Sequence, residues 1–267
     1  MKVLIIGSGG REHALAWRAM KSKQVERVFV APGNAGTAGE PGLENVAISV
    51  NDLDGLLNFA RERGIDLTIV GPEDPLVNGI VDLFNEAGLP CFGPTASSAQ
   101  LEGSKAFAKD FMARHGIPTA AYGMFTEVVP AIRFIREQGA PIGVKADGLA
   151  AGKGVIVATT ETQAEAAVLD MLAGNAFGEA GNRVVIEAFL EGEEASFIVM
   201  ADGEHILPLA TSQDHKALGD GDVGPNTGGM GAYSPAAVID ENLHRKVMNE
   251  VIRPTIEGMA AEGSPFT

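Results

Sequence analysis

The densest chemistry in this sequence lies in Lys145-Ala146-Asp147-Gly148-Leu149-Ala150-Ala151-Gly152-Lys153-Gly154. Glycine-rich backbone offers N–H groups to phosphate oxygens, and two lysines add positive charge. The stretch is not a P-loop. Its glycine spacing differs, Gly154 stands where Ser or Thr would be, and an apolar strand pattern follows instead of a helix. It reads as a hairpin with Lys145 at the base and Lys153 at the tip. Such a hairpin could close over a triphosphate, or it could be an ordinary turn with two solvated lysines. A second cluster is Gly7-Ser8-Gly9-Gly10-Arg11-Glu12. It fails as a dinucleotide fingerprint, because Glu12 holds the sixth position and the run Arg27–Ala31 ends in Ala31-Pro32 with no acid for a ribose. A tight strand-to-helix turn remains. The N–H groups of a helix start, together with Arg11, suit a single phosphate.

Three further clusters carry polar groups. In Gly71-Pro72-Glu73-Asp74-Pro75, Asp74 precedes Pro75 as a cap precedes a first helical residue, which leaves Glu73 for a ligand such as a sugar hydroxyl. Glu187-Ala188-Phe189-Leu190-Glu191-Gly192-Glu193-Glu194 places acids after a strand. They could read an adenine edge and ribose hydroxyls, although a solvated acidic turn has the same composition. Ser212-Gln213-Asp214-His215-Lys216, with Gly224-Pro225-Asn226-Thr227-Gly228-Gly229-Met230-Gly231, mixes every hydrogen-bonding type and suits a polar ligand. His215 has no partners at metal-ligand spacing.

The elements that must position these clusters follow from periodicity. Lys2–Ile6, Arg27–Ala31 and Leu67–Val70 read as buried strands, and Glu12–Lys21, Leu53–Arg63 and Leu76–Ala87 as helices. This alternation predicts βαβ units and a doubly wound parallel sheet, with ligands at the carboxyl ends of the strands. A second α+β block begins near Ser104. It has helices over Ser104–His115, Val129–Glu137 and Glu161–Leu172, and strands near Tyr122 and over Ile142–Lys145, Val155–Ala158 and Arg183–Glu187. Ala195–Met200 and Ile206–Ala210 form a hairpin pattern turning at Asp202-Gly203. Thr211–Pro235 holds eight glycines or prolines and reads as a long functional loop. A last helix is expected over Glu241–Ala261.

Composition bounds the function. The 267 residues carry 20 Lys and Arg against 35 Asp and Glu, a formal charge of −15, which argues against nucleic acid as a partner. Anionic substrates remain possible where local cations outweigh a distant negative field. One cysteine, Cys91, excludes an internal disulfide, and no run is apolar and long enough to cross a membrane. The expectation is a cytoplasmic protein that engages neither a membrane nor nucleic acid.

Taken together, Gly7–Ala16, Ala31–Thr37, Thr68–Pro75, Leu101–Ala106, Lys145–Val157, Glu193–Val199, Thr211–Lys216 and Gly224–Pro235 resemble the amino-terminal part of the glycinamide ribonucleotide synthetase (phosphoribosylamine–glycine ligase) family, within the ATP-grasp superfamily. The resemblance implies a parallel α/β domain over residues 1–103. It further implies a partial central ATP-grasp domain over 104–122 and 194–267, and a lid over 123–193. The implied reaction joins glycine to 5-phosphoribosylamine through a glycyl phosphate, consuming ATP in purine biosynthesis. It requires positioning and charge neutralisation but no protein nucleophile. By resemblance Lys105 and Lys145 hold nucleotide phosphates, and Gly148, Gly152, Lys153 and Gly154 belong to the flap. Glu187, Phe189 and Leu190 frame the adenine, and Glu194 binds the ribose. Gly10, Asn34, Gly71 and Glu73 lie on the sugar-phosphate side, joined by Arg11 from its own chemistry. Asp214, Lys216, Thr227, Gly228 and Met230 form the loop that closes on substrate. The family's magnesium ligands are expected beyond residue 267, so that this stretch alone would be catalytically crippled. Other ATP-grasp carboxylate–amine ligases, and a non-catalytic nucleotide-binding fragment, are the alternatives. Gly143 departs from the β-branched residue usual in the strand before Lys145, which is expected to weaken that strand.

Overall fold

The computed structural model describes residues 1–147, 154–174, 182–221 and 223–267. The chain divides into two compact units, Met1–Ser104 and Lys105–Phe266.

The first unit is a parallel sheet in the order β3-β2-β1-β4-β5, built from β1 (Lys2–Gly7), β2 (Arg27–Pro32), β3 (Leu43–Asn45), β4 (Leu67–Val70) and β5 (Cys91–Phe92). The connecting helices are α1 (Gly10–Met20), α2 (Ala35–Gly39), α3 (Leu53–Arg63), α4 (Glu73–Val77) and α5 (Ile80–Glu86), followed by α6 (Gln100–Gly103). Central strand β1 is apolar from Val3 to Ile6 because both its faces are covered there. Leu4 and Ile6 pack with Phe29, Leu56, Ala60 and Phe84 on one side, while Val3 and Ile5 pack with Ala16, Val28 and Val30 on the other. Helix α3 illustrates local encoding at both ends. The Asp52 carboxylate accepts from the Gly55 N–H (3.0 Å), and Gly64 ends the helix in the left-handed region at φ 62°. The helix expected over Leu76–Ala87 is in fact two. Gly79, at φ 86°, cannot continue a right-handed helix, so α4 and α5 meet there at an angle the periodicity concealed.

The second unit opens with α7 (Lys105–Arg114). An antiparallel sheet in the order β6-β9-β7-β8 follows, from β6 (Tyr122–Phe125), β7 (Ile142–Ala146), β8 (Val155–Ala158) and β9 (Val184–Ala188). Helices α8 (Val128–Gln138) and α9 (Glu161–Leu172) bury Ala131, Ile135, Val168 and Met171 against Ile142, Val144, Val184 and Ile186. Strand alternation therefore turns Lys145 and Glu187 to the opposite face of the sheet.

The expected hairpin forms from β10 (Val199–Ala201) and β11 (Ile206–Pro208). The stretch read as a loop over Thr211–Pro235 is better ordered than its composition suggests. It contains β12 (Gln213–Asp214) paired with β15 (Ala232–Tyr233), and β13 (Ala217–Gly219) paired with β14 (Val223–Asn226), all antiparallel. Strands of two to four residues are too short to show a period. The last helix runs as α10 (Glu241–Val247), a π-turn over Met248–Ile252, and α11 (Arg253–Ala261). The wide turn lies just before Pro254, which has no N–H for the carbonyl four residues back.

Candidate functional site

In the second unit, Lys145, Glu187, Lys109 and Thr119 come together on the face of the β7–β9 pair that is turned away from the core. Register places Gly143 opposite Glu187 and Lys145 opposite Val185. The Lys145 ammonium is ion-paired with Glu187 Oε1, and Lys109 Nζ lies 2.6 Å from Glu187 Oε2. Lys109 also donates to Thr119 Oγ1 at 2.6 Å. Burial disfavours charge on Glu187, but hydrogen bonds and charge from Lys109 and Lys145 outweigh it and hold the carboxyl below its ordinary range. Two cations share one carboxylate, so the cluster keeps a surplus positive charge within a chain of net −15. Lys105 opens α7, and the next residue, Ala106, donates its N–H to Asp147 Oδ1 (3.1 Å) at the end of β7. That bond ties the start of the Lys105 helix to the strand carrying Lys145. The Gly154 carbonyl accepts from Ala146 N–H (2.8 Å) and closes the base of the β7–β8 hairpin. Gly148, Gly152 and Lys153 lie outside the described residues. Phe189 and Leu190 follow β9 and are exposed, suited to covering a flat ring.

A second grouping joins residues that the sequence assigned to different ligands. Lys216 Nζ lies 2.6 Å from Glu194 Oε1 and 3.8 Å from Asp214 Oδ2. The Glu194 hydrogen bond raises the Lys216 pKa. Thr227 N–H donates to the Lys216 carbonyl (2.7 Å), Gly229 N–H to Thr227 Oγ1 (3.0 Å) and Met230 N–H to the His215 carbonyl (2.7 Å). These bonds fasten Thr227, Gly228 and Met230 beside Asp214 and Lys216. Beneath them Gln213, buried, accepts from the Tyr233 hydroxyl and donates to Glu193 Oε2 at 3.1 Å.

In the first unit the chain order reverses between β1 and β4, and ligands of such sheets bind at that crevice. The loop after β1 carries Gly10 and Arg11; the loop after β4 carries Gly71 and Glu73. Arg11 Nε donates to Glu12 Oε1 (2.7 Å), and Arg11 Nη1 lies 3.6 Å from Glu73 Oε1. Partial burial disfavours the Arg11 charge, but Glu12 and Glu73 more than compensate and raise its pKa. Glu73 therefore has a long contact to Arg11 already. Asp74 is not the cap expected for it: α4 begins at Glu73 with Pro72 before it, so Asp74 lies within the first turn. Asn34 caps α2 through Thr37 N–H (2.9 Å), and its amide also donates to the Ser8 carbonyl (2.9 Å), bracing the loop after β1.

Sequence reasoning missed Lys109, whose only signal was its spacing of four from Lys105 on one helix face. It used Glu12 only as evidence against a dinucleotide site. Among the described residues no group of three or more His, Cys, Asp or Glu is arranged to hold a metal ion, and no helix is long and apolar enough to cross a membrane.

The phosphoribosylglycinamide synthetase N domain matches residues 1–102, and the ATP-grasp (A) domain of the same synthetase matches residues 103–267. Phosphoribosylamine–glycine ligases of Vibrio vulnificus and Escherichia coli K12 are 71% and 70% identical over all 267 residues, which span 62% of each relative's length. The crystal structure of phosphoribosylamine–glycine ligase from Thermotoga maritima superposes with a TM-score of 0.83 at 31% identity, over 100% of this chain and 63% of that one. N5-carboxyaminoimidazole ribonucleotide synthetase from Thermotoga maritima shares the fold, with a TM-score of 0.64 at 21% identity over 97% of this chain and 61% of that one. Matched from its first residue to its last by these two consecutive domain models, the chain belongs to the phosphoribosylglycinamide synthetase family.

Proposed function

We propose that the chain is the amino-terminal portion of an ATP-dependent ligase that joins glycine to 5-phosphoribosylamine. A glycine carboxylate oxygen bonds to the γ-phosphorus of ATP as the bond to ADP breaks, which makes glycyl phosphate. The amine nitrogen of phosphoribosylamine then bonds to the acyl carbon and expels phosphate, losing a proton and leaving glycinamide ribonucleotide. A carboxylate oxygen becomes a leaving group only once phosphorylated, so the protein's task is positioning and charge neutralisation. Magnesium, where the full enzyme binds it, would neutralise charge on the triphosphate.

The observation that carries the reading is the Lys109–Glu187–Lys145 cluster on the face of the second unit's sheet turned away from its core. A phosphate chain arriving there exchanges with Glu187 for Lys145, while Lys109 keeps the displaced carboxylate satisfied. Lys105, beginning the helix bound to Asp147, approaches the same phosphates. Phe189 and Leu190 cover the adenine, and Glu194 takes the ribose. Residues 123–193 act as the lid, and 104–122 with 194–267 belong to the central domain. Gly10, Arg11, Asn34, Gly71 and Glu73 receive the sugar phosphate; Asp214, Lys216, Thr227, Gly228 and Met230 close on substrate.

Isothermal titration of ATP into the chain and into Lys145→Ala tests the nucleotide site. Loss of one charge-assisted contact predicts at least about a tenfold weaker affinity. Unchanged affinity overturns the assignment. ADP release that requires both glycine and phosphoribosylamine supports the ligase; release indifferent to either one refutes it.

A further inference from the structure

We infer that Glu12 is a positioning residue for the sugar-phosphate substrate, acting through the Arg11 guanidinium. The inference rests on the reading that the loops after β1 and β4 receive that substrate.

Glu12 is among the few charged or polar side chains buried in the described residues, at 4% exposure. It is the third residue of α1, and its Oε2 accepts the Gly9 N–H at 2.7 Å. A capping acid does that much on any helix and needs no burial. Two observations go further. First, the carboxylate is wedged between the ends of two neighbouring strands, and glycines on both sides make room for it. A Cβ at Gly7 would lie 2.3 Å from Glu12 Cγ, one at Gly9 2.8 Å from Oε2, and one at Gly71 2.2 Å from Oε1. Gly71 follows β4, so its lack of a side chain serves Glu12 before it serves any ligand.

Second, Glu12 takes Arg11 by Nε and not by the end of the fork. The side chain of Arg11 remains 56% exposed, with Nη1 in only a long contact to Glu73. A guanidinium held by Nε keeps its two terminal nitrogens for an incoming oxyanion, and its plane is fixed before binding. Arg11 itself lies in the first turn of α1, where unpaired backbone N–H groups favour an anion. A phosphomonoester would displace the Glu73 contact and leave that carboxylate to ribose hydroxyls. The ligand class is therefore a pentose phosphate, gripped at its phosphate.

Ribose 5-phosphate, a stable probe, separates a positioning role from a merely structural one. In Glu12→Gln the amide oxygen can still accept the Gly9 N–H, but an NH2 then faces Arg11 Nε, donor to donor. The expected result is a roughly tenfold loss of ribose 5-phosphate affinity with ATP affinity unchanged. Arg11→Gln should lose as much or more, and the double variant should bind like Arg11→Gln alone, because Glu12 has nothing left to orient. Losses that add in full would mean that Glu12 only holds the fold, and wild-type affinity in Glu12→Gln would end the proposal. If Glu12→Gln does not fold, Arg11→Lys decides. It keeps the charge but has no Nε, so it should bind about as poorly as Arg11→Gln, and near-normal binding overturns the role. A wild-type chain that ignores ribose 5-phosphate while still binding ATP defeats the sugar-phosphate reading itself, and this inference with it.

Discussion

Glu187 links the stability of the second unit to the nucleotide site proposed there. Its side chain is 12% exposed and meets a lysine at each oxygen. Removing one partner from such a cluster leaves unpaired charge, so both lysines and the acid hold one another in place. The pH dependence follows from the sign of the shift. Burial alone would raise the carboxyl pKa, but Lys109 and Lys145 lower it below its ordinary value of 4.5. Ionised Glu187 thus favours the folded state above that pH, and the benefit disappears as pH falls through the lower folded value. Glu187→Gln should cost about 1–3 kcal/mol near pH 7. Urea unfolding of both proteins from pH 7 down to 3 should show the gap narrowing below pH 4.5. A gap that persists unchanged in acid would mean that the lysines do not hold the carboxylate in its charged form.

At the scale of elements, β7 carries a glycine where it carries no evident need for one. Gly143 is buried opposite Glu187, and its φ is not in the left-handed region. An added Cβ would sit 3.4 Å from Glu187 Cγ and 3.6 Å from the Glu187 carbonyl oxygen, ordinary van der Waals distances. Gly143→Ala should therefore stabilise the second unit by about 0.5–1 kcal/mol, through a less flexible unfolded chain. Differential scanning calorimetry measures it; a lower Tm would mean that the cluster on this face needs the free space. Elements with complete local signals were legible in the sequence. The run Leu67–Val70 and the helices Leu53–Arg63 and Glu161–Leu172 lie where periodicity and caps place them. Gly79 broke a helix whose apolar pattern ran straight through it, and the paired strands within Thr211–Pro235 are too short to have a period. The site divides the same way. Motif residues such as Lys145 and Glu187 stand out locally. Lys109 and Glu12 matter through partners that only folding supplies: Glu187, on a strand far along the chain, for one, and the glycine after β4 for the other.

For the molecule as a whole, the cores decide what can stand alone. The two apolar clusters of the first unit draw only on residues between Val3 and Cys91, and the main cluster of the second only on residues between Phe125 and Ile186. The boundary between family domains at residues 102 and 103 falls within two residues of the division between the units. The first unit also ends in strands of three and two residues, β3 and β5, which offer little open edge for aggregation. Residues 1–104 expressed alone should therefore fold as a monomer, although a domain of this size buries a modest share of its surface and has a correspondingly small margin. Its urea unfolding should be a single transition with an m value of about 1–1.5 kcal/mol/M, and its stability should be about 5 kcal/mol or more. Coincident circular dichroism and Phe84-reporting aromatic signals would establish one cooperative core, since Phe84 is fully buried within it. A gradual, probe-dependent loss of structure would mean that contacts from Lys105 onward complete the unit. Ribose 5-phosphate binding by the folded fragment would further place the Glu12 and Arg11 device wholly within one domain. Folding without binding would mean that residues 1–104 alone do not hold the sugar phosphate.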